Sequence, residues 1–294
     1  MTTLRSEVAL DSTSYKGFML IIVATFLFSS HDTISKYLTS AYPVILIVWA
    51  RYAVHTALMA TLFLPKAGTA LFKTANLKLQ LLRGGCLVAT SLFFTSSLHY
   101  LPLAEATSIH FLAPLLVILL SAPLLGEQVS SRQIYAALAG FLGTLFIVRP
   151  GGNLFTLAVL LPFCSALCFA LYQLLTRKLS AYDSAITSNF LGGLFATGVM
   201  SLLVPFFWVT PTMNDAIMMG ALGTLGMVSH LLFSQSFRYA APAVLAPFSY
   251  SQILFSTILG AIIFQHIPET LSLYGMVIIT MSGAWALLKG SKPA

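Results

Sequence analysis

Residues 104–125 read AEATSIHFLAPLLVILLSAPLL, and Glu105 is the one charged residue of this stretch. At about 1.5 Å per residue, a helix of this length spans about 30 Å, which matches the hydrocarbon core of a bilayer. Lipid offers no hydrogen-bond partners to exposed backbone groups, so a stretch that crosses it has to be helical. The preceding run, residues 80–101, has a similar character and ends at Pro102. The sequence therefore predicts two consecutive membrane-spanning helices here.

The same pattern continues along the whole chain. Apolar runs are predicted to form ten membrane-spanning helices, at residues 16–38, 43–65, 80–101, 104–125, 131–149, 154–178, 184–208, 214–237, 243–264 and 270–288. Of the 294 residues, 58% are hydrophobic and 8% are charged, whereas about 25% charged is usual for a soluble domain. This composition excludes soluble globular and disordered proteins, and it predicts an all-α membrane protein.

Lys and Arg are unevenly divided between the two sides that ten spans would define. Twelve fall on the side shared by both termini, and Lys36 and Arg149 fall on the other, while Arg51 lies inside a span. The positive-inside rule therefore places both termini in the cytoplasm. Because the basic residues are scattered between apolar runs, the net charge of +7 indicates orientation in a membrane, and no nucleic-acid partner is expected. The oligomeric state stays open, and a monomer is compatible with the sequence.

The chain resembles itself at an offset of about 139 residues. Leu98-His99-Tyr100 corresponds to Phe237-Arg238-Tyr239, Gly84 to Gly223, Phe94 to Phe233, and Ser40-Ala41-Tyr42 to Ser180-Ala181-Tyr182 at an offset of 140. We therefore divide the chain into a tail at 1–15, a five-helix repeat at 16–150, a second repeat at 151–288 and a tail at 289–294. Because five is odd, the second repeat enters the membrane from the opposite side. Inverted repeats of this kind are typical of alternating-access transporters.

A family resemblance follows from one motif, Pro102-Leu103-Ala104-Glu105-Ala106, continued by Pro114, Gly126-Glu127, Gly140 and Gly143. The second half keeps it in part, in Ala240-Ala241-Pro242-Ala243, but has Gln265-His266 where a Gly-Glu pair would be expected. The chain resembles EamA-type members of the drug/metabolite transporter superfamily over residues 16–288, and most of all the YddG-type amino-acid exporters. This resemblance implies a ten-helix exporter of the bacterial inner membrane with a central cavity. No cofactor, metal site or enzymatic activity is expected.

Four ionisable residues within the spans are candidates for binding a substrate. Asp32 and Arg51 are predicted in the outer half of the membrane, His55 near the midplane and His110 further out. An ionisable group in a span is costly to insert and needs a partner, a cavity or a function. Asp32 or Arg51 would engage the amine or the carboxylate of an amino acid. The structural alternative is an ion pair between them that fixes helix packing.

Further candidates are aromatic or neutral polar. Aromatic residues on helices that the resemblance places around the cavity are Phe93, Phe94, Phe169, Tyr172, Phe233, Phe237, Phe248 and Tyr250. Apolar walls with a few polar groups suit an amphipathic or aromatic small molecule. Ser251 and Gln252 belong to the densest neutral polar patch in any span, and they serve either substrate contact or interhelical hydrogen bonding.

Four prolines bear on motion: Pro114 and Pro123 in the fourth run, and Pro242 and Pro247 in the ninth. A proline within a helix removes a backbone hydrogen bond and bends the helix. Because the two helices are repeat-related, these bends are candidate gates, and a static kink that only shapes the cavity is the alternative.

These observations predict a transporter that exports small amphipathic metabolites, amino acids including aromatic ones, by alternating access. No acidic residue falls at the centre of a span, so we expect facilitated export down the solute gradient. The alternatives are a channel, a transporter of another solute such as a cationic drug or a nucleotide-sugar, and an intramembrane hydrolase. The hydrolase is disfavoured because no G-x-S-x-G is present, and a nucleotide-sugar should require several basic groups where Arg51 alone qualifies.

Overall fold

The computed structural model describes residues 12–125, 129–148, 156–179, 182–236, 239 and 248–287. The α-helices within these ranges are α1 (Ser12–Leu38), α2 (Val44–Ala67), α3 (Leu77–Tyr100), α4 (Leu103–His110), α5 (Ala113–Leu125), α6 (Ser131–Val148), α7 (Leu160–Leu179), α8 (Ala185–Leu203), α9 (Met213–Ser236), α10 (Ser251–Phe264) and α11 (Thr270–Leu287). Short 3₁₀ helices follow α2 and α8 and precede α7, at Gly68–Phe72, Val204–Phe207 and Leu157–Val159.

Among the described residues, eight helical segments are long and apolar enough to cross a membrane. Two shorter apolar helices, Ser251–Phe264 and Thr270–Trp285, follow them. The helices α1 to α3 and α6 to α9 begin and end within six residues of the predicted runs. The prediction of an all-α membrane protein is thus confirmed, and the chain is a multi-pass membrane protein.

The fourth predicted helix is not continuous. The helix α4 ends at His110 and α5 begins at Ala113, with a turn at Phe111 and Leu112 between them. Pro114 has no N–H, and inside a longer helix its ring would clash with the carbonyl of His110. In the first turn of α5, by contrast, a backbone N–H has no partner within the helix, so proline is tolerated there. The predicted helix is therefore interrupted before Pro114 and not merely bent. Two other candidate gates, Pro242 and Pro247, lie outside the described residues.

Packing brings the two halves of the chain together. The most extensive contacts join α6 to α11, α1 to α9, and α3 to α7, and further contacts join α2 to both α8 and α9. Small residues permit close approach: a Cβ added at Gly84 of α3 would lie 2.5 Å from the Phe195 ring of α8, and one at Gly223 of α9 would lie 2.5 Å from Val54 of α2. Each close contact therefore joins a helix of one half to a helix of the other.

We call one end of the bundle the basic end, because it carries Lys66, Lys73, Lys78, Arg177 and Lys178. Asp183, in the loop before α8, accepts hydrogen bonds there from the Thr74 hydroxyl, from the Ala75 N–H at 2.9 Å and from Gln80 Nε2 at 2.8 Å. Burial acts to raise the pKa of Asp183, but these three hydrogen bonds to the charged form outweigh it and lower the pKa from its usual value.

The opposite end is closed by contacts from α1 and from the residues after α10. The Lys36 ammonium of α1 donates to the carbonyls of Leu98 at 2.9 Å and Leu101 at 2.8 Å, at the carboxyl end of α3, where a cation is favoured by the helix dipole. His266 Nε2 lies 3.1 Å from Oε1 of the buried Glu105. These contacts tie α1 to α3, and α4 to the segment after α10.

Candidate functional site

Asp32 connects α1 to α10. Its buried carboxylate lies 2.9 Å from His31 Nδ1 through Oδ1, and its Oδ2 accepts a hydrogen bond from Gln252 Nε2 at 3.0 Å. Two predicted site residues, Asp32 and Gln252, are thereby brought together from opposite halves of the chain. The alternative of an Asp32–Arg51 ion pair is wrong in this structure, because neither side chain is within bonding distance of the other.

Arg51 is half-buried and is held by neutral groups. Its Nη2 donates to the Ser91 hydroxyl of α3, and its guanidinium carbon lies 4.3 Å from the centre of the Tyr52 ring. Within the described part of the chain, no carboxylate pairs with it. A guanidinium has five N–H donors, so Arg51 retains donors for an anionic group.

Histidines from three helices lie close to Arg51. The His55 ring of α2 and the His230 ring of α9 are 6.3 Å apart, centre to centre. His31 of α1 lies against Gly226 of α9, where an added Cβ would be 3.5 Å from the imidazole. Arg51 is near enough to all three histidines to act on them electrostatically. His55 is one of the site residues predicted from the sequence, whereas His230 is not.

Four rings form a continuous line between α3, α4 and α7. His110 stands at its middle, with its ring centre 4.9 Å from that of Phe94 and 5.2 Å from that of Phe169. Phe169 then stacks on Tyr172, with centres 5.7 Å apart and planes 11° apart. We call Phe94, His110, Phe169 and Tyr172 the ring line. Phe94, His110 and Phe169 are half-buried, so part of the surface of these rings is accessible from outside the packed helices.

The ring line and the charged groups approach each other through adjacent residues of α3. The Ser165 hydroxyl donates to the carbonyl of Thr90 at 2.9 Å, and it lies 3.1 Å from His110 Nδ1. Because that hydroxyl proton is used, His110 is the donor to Ser165. The next residue, Ser91, is the partner of Arg51. The two groups of candidates are therefore connected through consecutive residues of α3.

The remaining predictions on α10 and α9 have mixed outcomes. The Ser251 hydroxyl lies 2.8 Å from the Thr25 hydroxyl of α1, which is the interhelical bonding that the sequence left open. Tyr250 is buried, with its ring 5.4 Å from that of Phe111. Phe248 is 40% exposed and packs on Phe18, away from the ring line. The centre of the Phe233 ring lies 6.3 Å from that of the Phe28 ring of α1.

The largest fully buried side chain of the described residues, Arg83, was missed as a site residue. Its Nε donates to Thr176 Oγ1 at 2.7 Å, its Nη1 to the Ser188 carbonyl at 2.8 Å, and its Nη2 to the Tyr172 hydroxyl at 2.7 Å. It was grouped with the basic loop residues because it lies in the second turn of α3. Its position inside the apolar run 80–101 was the available signal.

Comparison with known proteins identifies the family. The model of the EamA-like transporter family matches residues 15–149 and again residues 156–288. The S-adenosylmethionine uptake transporter of Rickettsia bellii is 25% identical over 262 residues, covering 89% of each chain. The pseudopaline exporter of Pseudomonas aeruginosa is 27% identical over 273 residues, covering 90% of this chain and 94% of its own length.

Two further comparisons agree. The riboflavin transporter of Vibrio cholerae is 26% identical over 200 residues, covering 67% of each chain. A solved crystal structure superposes with a TM-score of 0.67 at 21% identity, covering 94% of this chain and 97% of that chain, which shows a shared fold. The relatives move different solutes, so they do not single out the YddG-type amino-acid exporters. The chain belongs to the EamA-like transporter family and is a membrane transporter.

Proposed function

We propose that the protein has ten membrane-spanning helices arranged as two inverted five-helix repeats, with both termini cytoplasmic in a bacterial inner membrane. The two matches of the family model, at 15–149 and 156–288, support the duplication. The close contact of Gly84 with Phe195 has a counterpart in that of Gly223 with Val54, and the two glycines are 139 residues apart. This is the offset that the sequence itself indicates.

The packing pattern supports the same arrangement. If α1, α3 and α6 correspond to α7, α9 and α11, the contact of α1 with α9 is the counterpart of that of α7 with α3. Likewise α1 packs on α10, while α7 packs on α5. The contact of α6 with α11 is its own counterpart. Such two-fold packing gives a carrier two nearly equivalent states, which is the basis of alternating access.

We propose that the solute is a small amphipathic metabolite with a ring and an amino-acid group, and first of all an aromatic amino acid. The observation that carries this proposal is the ring line, which is connected to Arg51 through Thr90 and Ser91 of α3. Asp32 and Arg51 supply two opposite charges that are not paired with each other. Asp32 would accept the solute's ammonium group, Arg51 would bind its carboxylate, and the rings would cover its apolar part.

The relatives support the solute class and leave two candidates. S-adenosylmethionine, moved by the Rickettsia relative, joins a heterocyclic ring to an amino-acid group. Riboflavin, moved by the Vibrio relative, has a ring system but no amino-acid group. The relatives include an uptake transporter and an exporter, so the solute gradient sets the direction in our proposal of facilitated export.

Counterflow in proteoliposomes tests this function. Vesicles loaded with unlabelled L-phenylalanine should accumulate labelled L-phenylalanine in a saturable manner, and L-tryptophan and S-adenosylmethionine should compete. Glucose is the control, because it has neither an aromatic ring nor a charged group. If only S-adenosylmethionine or only riboflavin gave counterflow, that compound and not an aromatic amino acid would be the solute. The absence of counterflow with all of these solutes would contradict the proposal, and uptake that collapses with the pH gradient would contradict facilitated transport.

A further inference from the structure

Arg83 is a buried cation without a described counter-ion. Its side chain is 1% exposed, and its hydrogen bonds go to three neutral oxygens, on Thr176, Ser188 and Tyr172. A guanidinium does not deprotonate in proteins. Within the described part of the chain its charge is offset by a cation–π contact with the Tyr172 ring, whose centre lies 4.5 Å from the guanidinium carbon, but by no anion, and burying a cation without a counter-ion is unfavourable. A neutral glutamine could link the helices at less cost. The positive charge itself therefore calls for an explanation.

Arg83 and Tyr172 together offer hydrogen-bond donors beside a positive charge. The guanidinium has five N–H groups, and three of its bonds are accounted for in the described part of the chain. The Tyr172 hydroxyl accepts one of them, and no described group accepts its own proton. Tyr172 is only 8% exposed. A site that presents donors and a positive charge is complementary to a carboxylate, which has acceptors alone.

The one acid that belongs to the same network does not supply the missing charge. Gln80 Nε2 donates to Asp183 Oδ2 at 2.8 Å and to the Ser188 hydroxyl at 3.0 Å. Asp183 is thus separated from Arg83 by this relay, and its oxygens are already bonded to three donors. Among the described residues, Arg83 therefore has no anionic partner, and the carboxylate of a solute could supply one.

The position of this site matches the candidate substrate region. Tyr172 is the last member of the ring line, so Arg83 lies where an aromatic solute on Phe169 would present its polar end. At the offset of 140 that pairs Ser40 with Ser180, Tyr172 corresponds to Asp32. The repeat-related positions would thus carry the group for the amine in one half and a group for the carboxylate in the other.

We propose that Arg83 and Tyr172 bind the carboxylate of the transported solute at the basic end of the ring line. Arg51, bonded to Ser91, lies about 12 Å further along α3, and it binds the same carboxylate at the other stage of the cycle. This inference rests on the proposed transport function. Because Arg83 is sealed in this structure, the carboxylate reaches it in the state in which α7 and α8 separate from α3.

Equilibrium binding of two labelled probes to the purified full-length protein tests this inference. L-phenylalanine and phenethylamine share a ring and an amine, but only the first has a carboxylate. Charged hydrogen bonds of this kind correspond to about 10- to 100-fold in affinity. Arg83→Gln should weaken L-phenylalanine by this factor and Tyr172→Phe by about tenfold, with phenethylamine unchanged in both. Arg132→Gln, which removes an arginine remote from the ring line, should leave the ratio of the two affinities unchanged.

If Arg83→Gln fails to fold, Tyr172→Phe decides, because it keeps the stacked ring and removes only the hydroxyl. Equal losses for both probes, or no loss in a folded variant, would overturn the inference. A wild type that exchanges only solutes without a carboxylate would overturn it while leaving transport in place. A wild type that exchanges no solute would overturn the proposed function, and the inference with it.

Discussion

Gly143 of α6 and Gly275 of α11 face each other so closely that neither position has room for a side chain. A Cβ added at Gly143 would lie 2.9 Å from the Gly275 carbonyl oxygen, and one at Gly275 would lie 2.5 Å from the Gly143 carbonyl oxygen. Backbone rather than flexible side chains would have to move. This reciprocal contact joins one helix from each half of the chain, and small residues at such positions are typical of close helix packing in membranes.

Gly143→Ala and Gly275→Ala should each destabilise the protein by about 1–3 kcal/mol, because overpacking at a rigid contact forces the backbones apart. Thermal unfolding of the purified protein in detergent measures the effect. Gly220→Ala is the matched control: nothing lies within 4 Å of its added Cβ, and alanine is the better helix former. If the Gly143→Ala and Gly275→Ala variants had the melting temperature of the wild type, the α6–α11 contact would be looser than described.

Gln265→Gly should stabilise the protein by about 0.5–1 kcal/mol. Gln265 follows α10 with a left-handed φ of 53°, a conformation that suits glycine and strains other residues. It is also the position at which the sequence departs from the Gly-Glu pattern. Gln265→Ala, which shortens the side chain without relieving the backbone, should give no gain. A lower melting temperature for the glycine variant would contradict this account of the turn.

Asp183→Asn should lower the melting temperature at neutral pH. The pKa of Asp183 is lowered in the folded protein, so its contribution to stability is complete above the unfolded value near 3.8 and is lost as the pH falls through the folded value. The gap between wild type and variant should therefore close as the pH falls below about 4. Melting curves across that range measure it, and a gap that widened on acidification would show the opposite sign.

Asp32→Asn should raise the half-saturation concentration for L-phenylalanine counterflow by about tenfold or more, because the solute's ammonium group loses its charged acceptor. An amide can still accept the hydrogen bond from Gln252, so the helix packing is retained. Ser256→Ala, which breaks the 3.1 Å link to Ser29 between the same two helices, is the neutral control. Equal effects of the two variants would assign Asp32 a packing role instead.

The sequence predicted those features that depend on local composition. Apolar length predicted the helices. Three of the candidate site residues, Phe94, His110 and Tyr172, belong to one line of contacting rings in the structure. The sequence could not predict which polar groups pair across the halves, since such pairing depends on the rotation of each helix. Asp32 therefore bonds to Gln252 rather than to Arg51, and Phe248 packs on Phe18 of α1 rather than on the ring line. Arg83 was missed because its position near the start of α3 resembled that of an orienting loop residue.

Pro114→Ala should slow counterflow without changing the equilibrium affinity for L-phenylalanine. The break between α4 and α5 places His110, a member of the ring line, at the last position of α4. An alanine at 114 has an N–H that can bond to the His110 carbonyl, which favours one straight helix and a single state. Pro123→Ala is the matched control, because Pro123 is exposed on α5 beyond the ring line. The initial counterflow rate and the binding affinity are measured for both variants. A lower rate at unchanged affinity for Pro114→Ala alone would support movement at the break between α4 and α5 during transport. Rates unchanged in both variants would leave the break as a fixed feature that shapes the cavity.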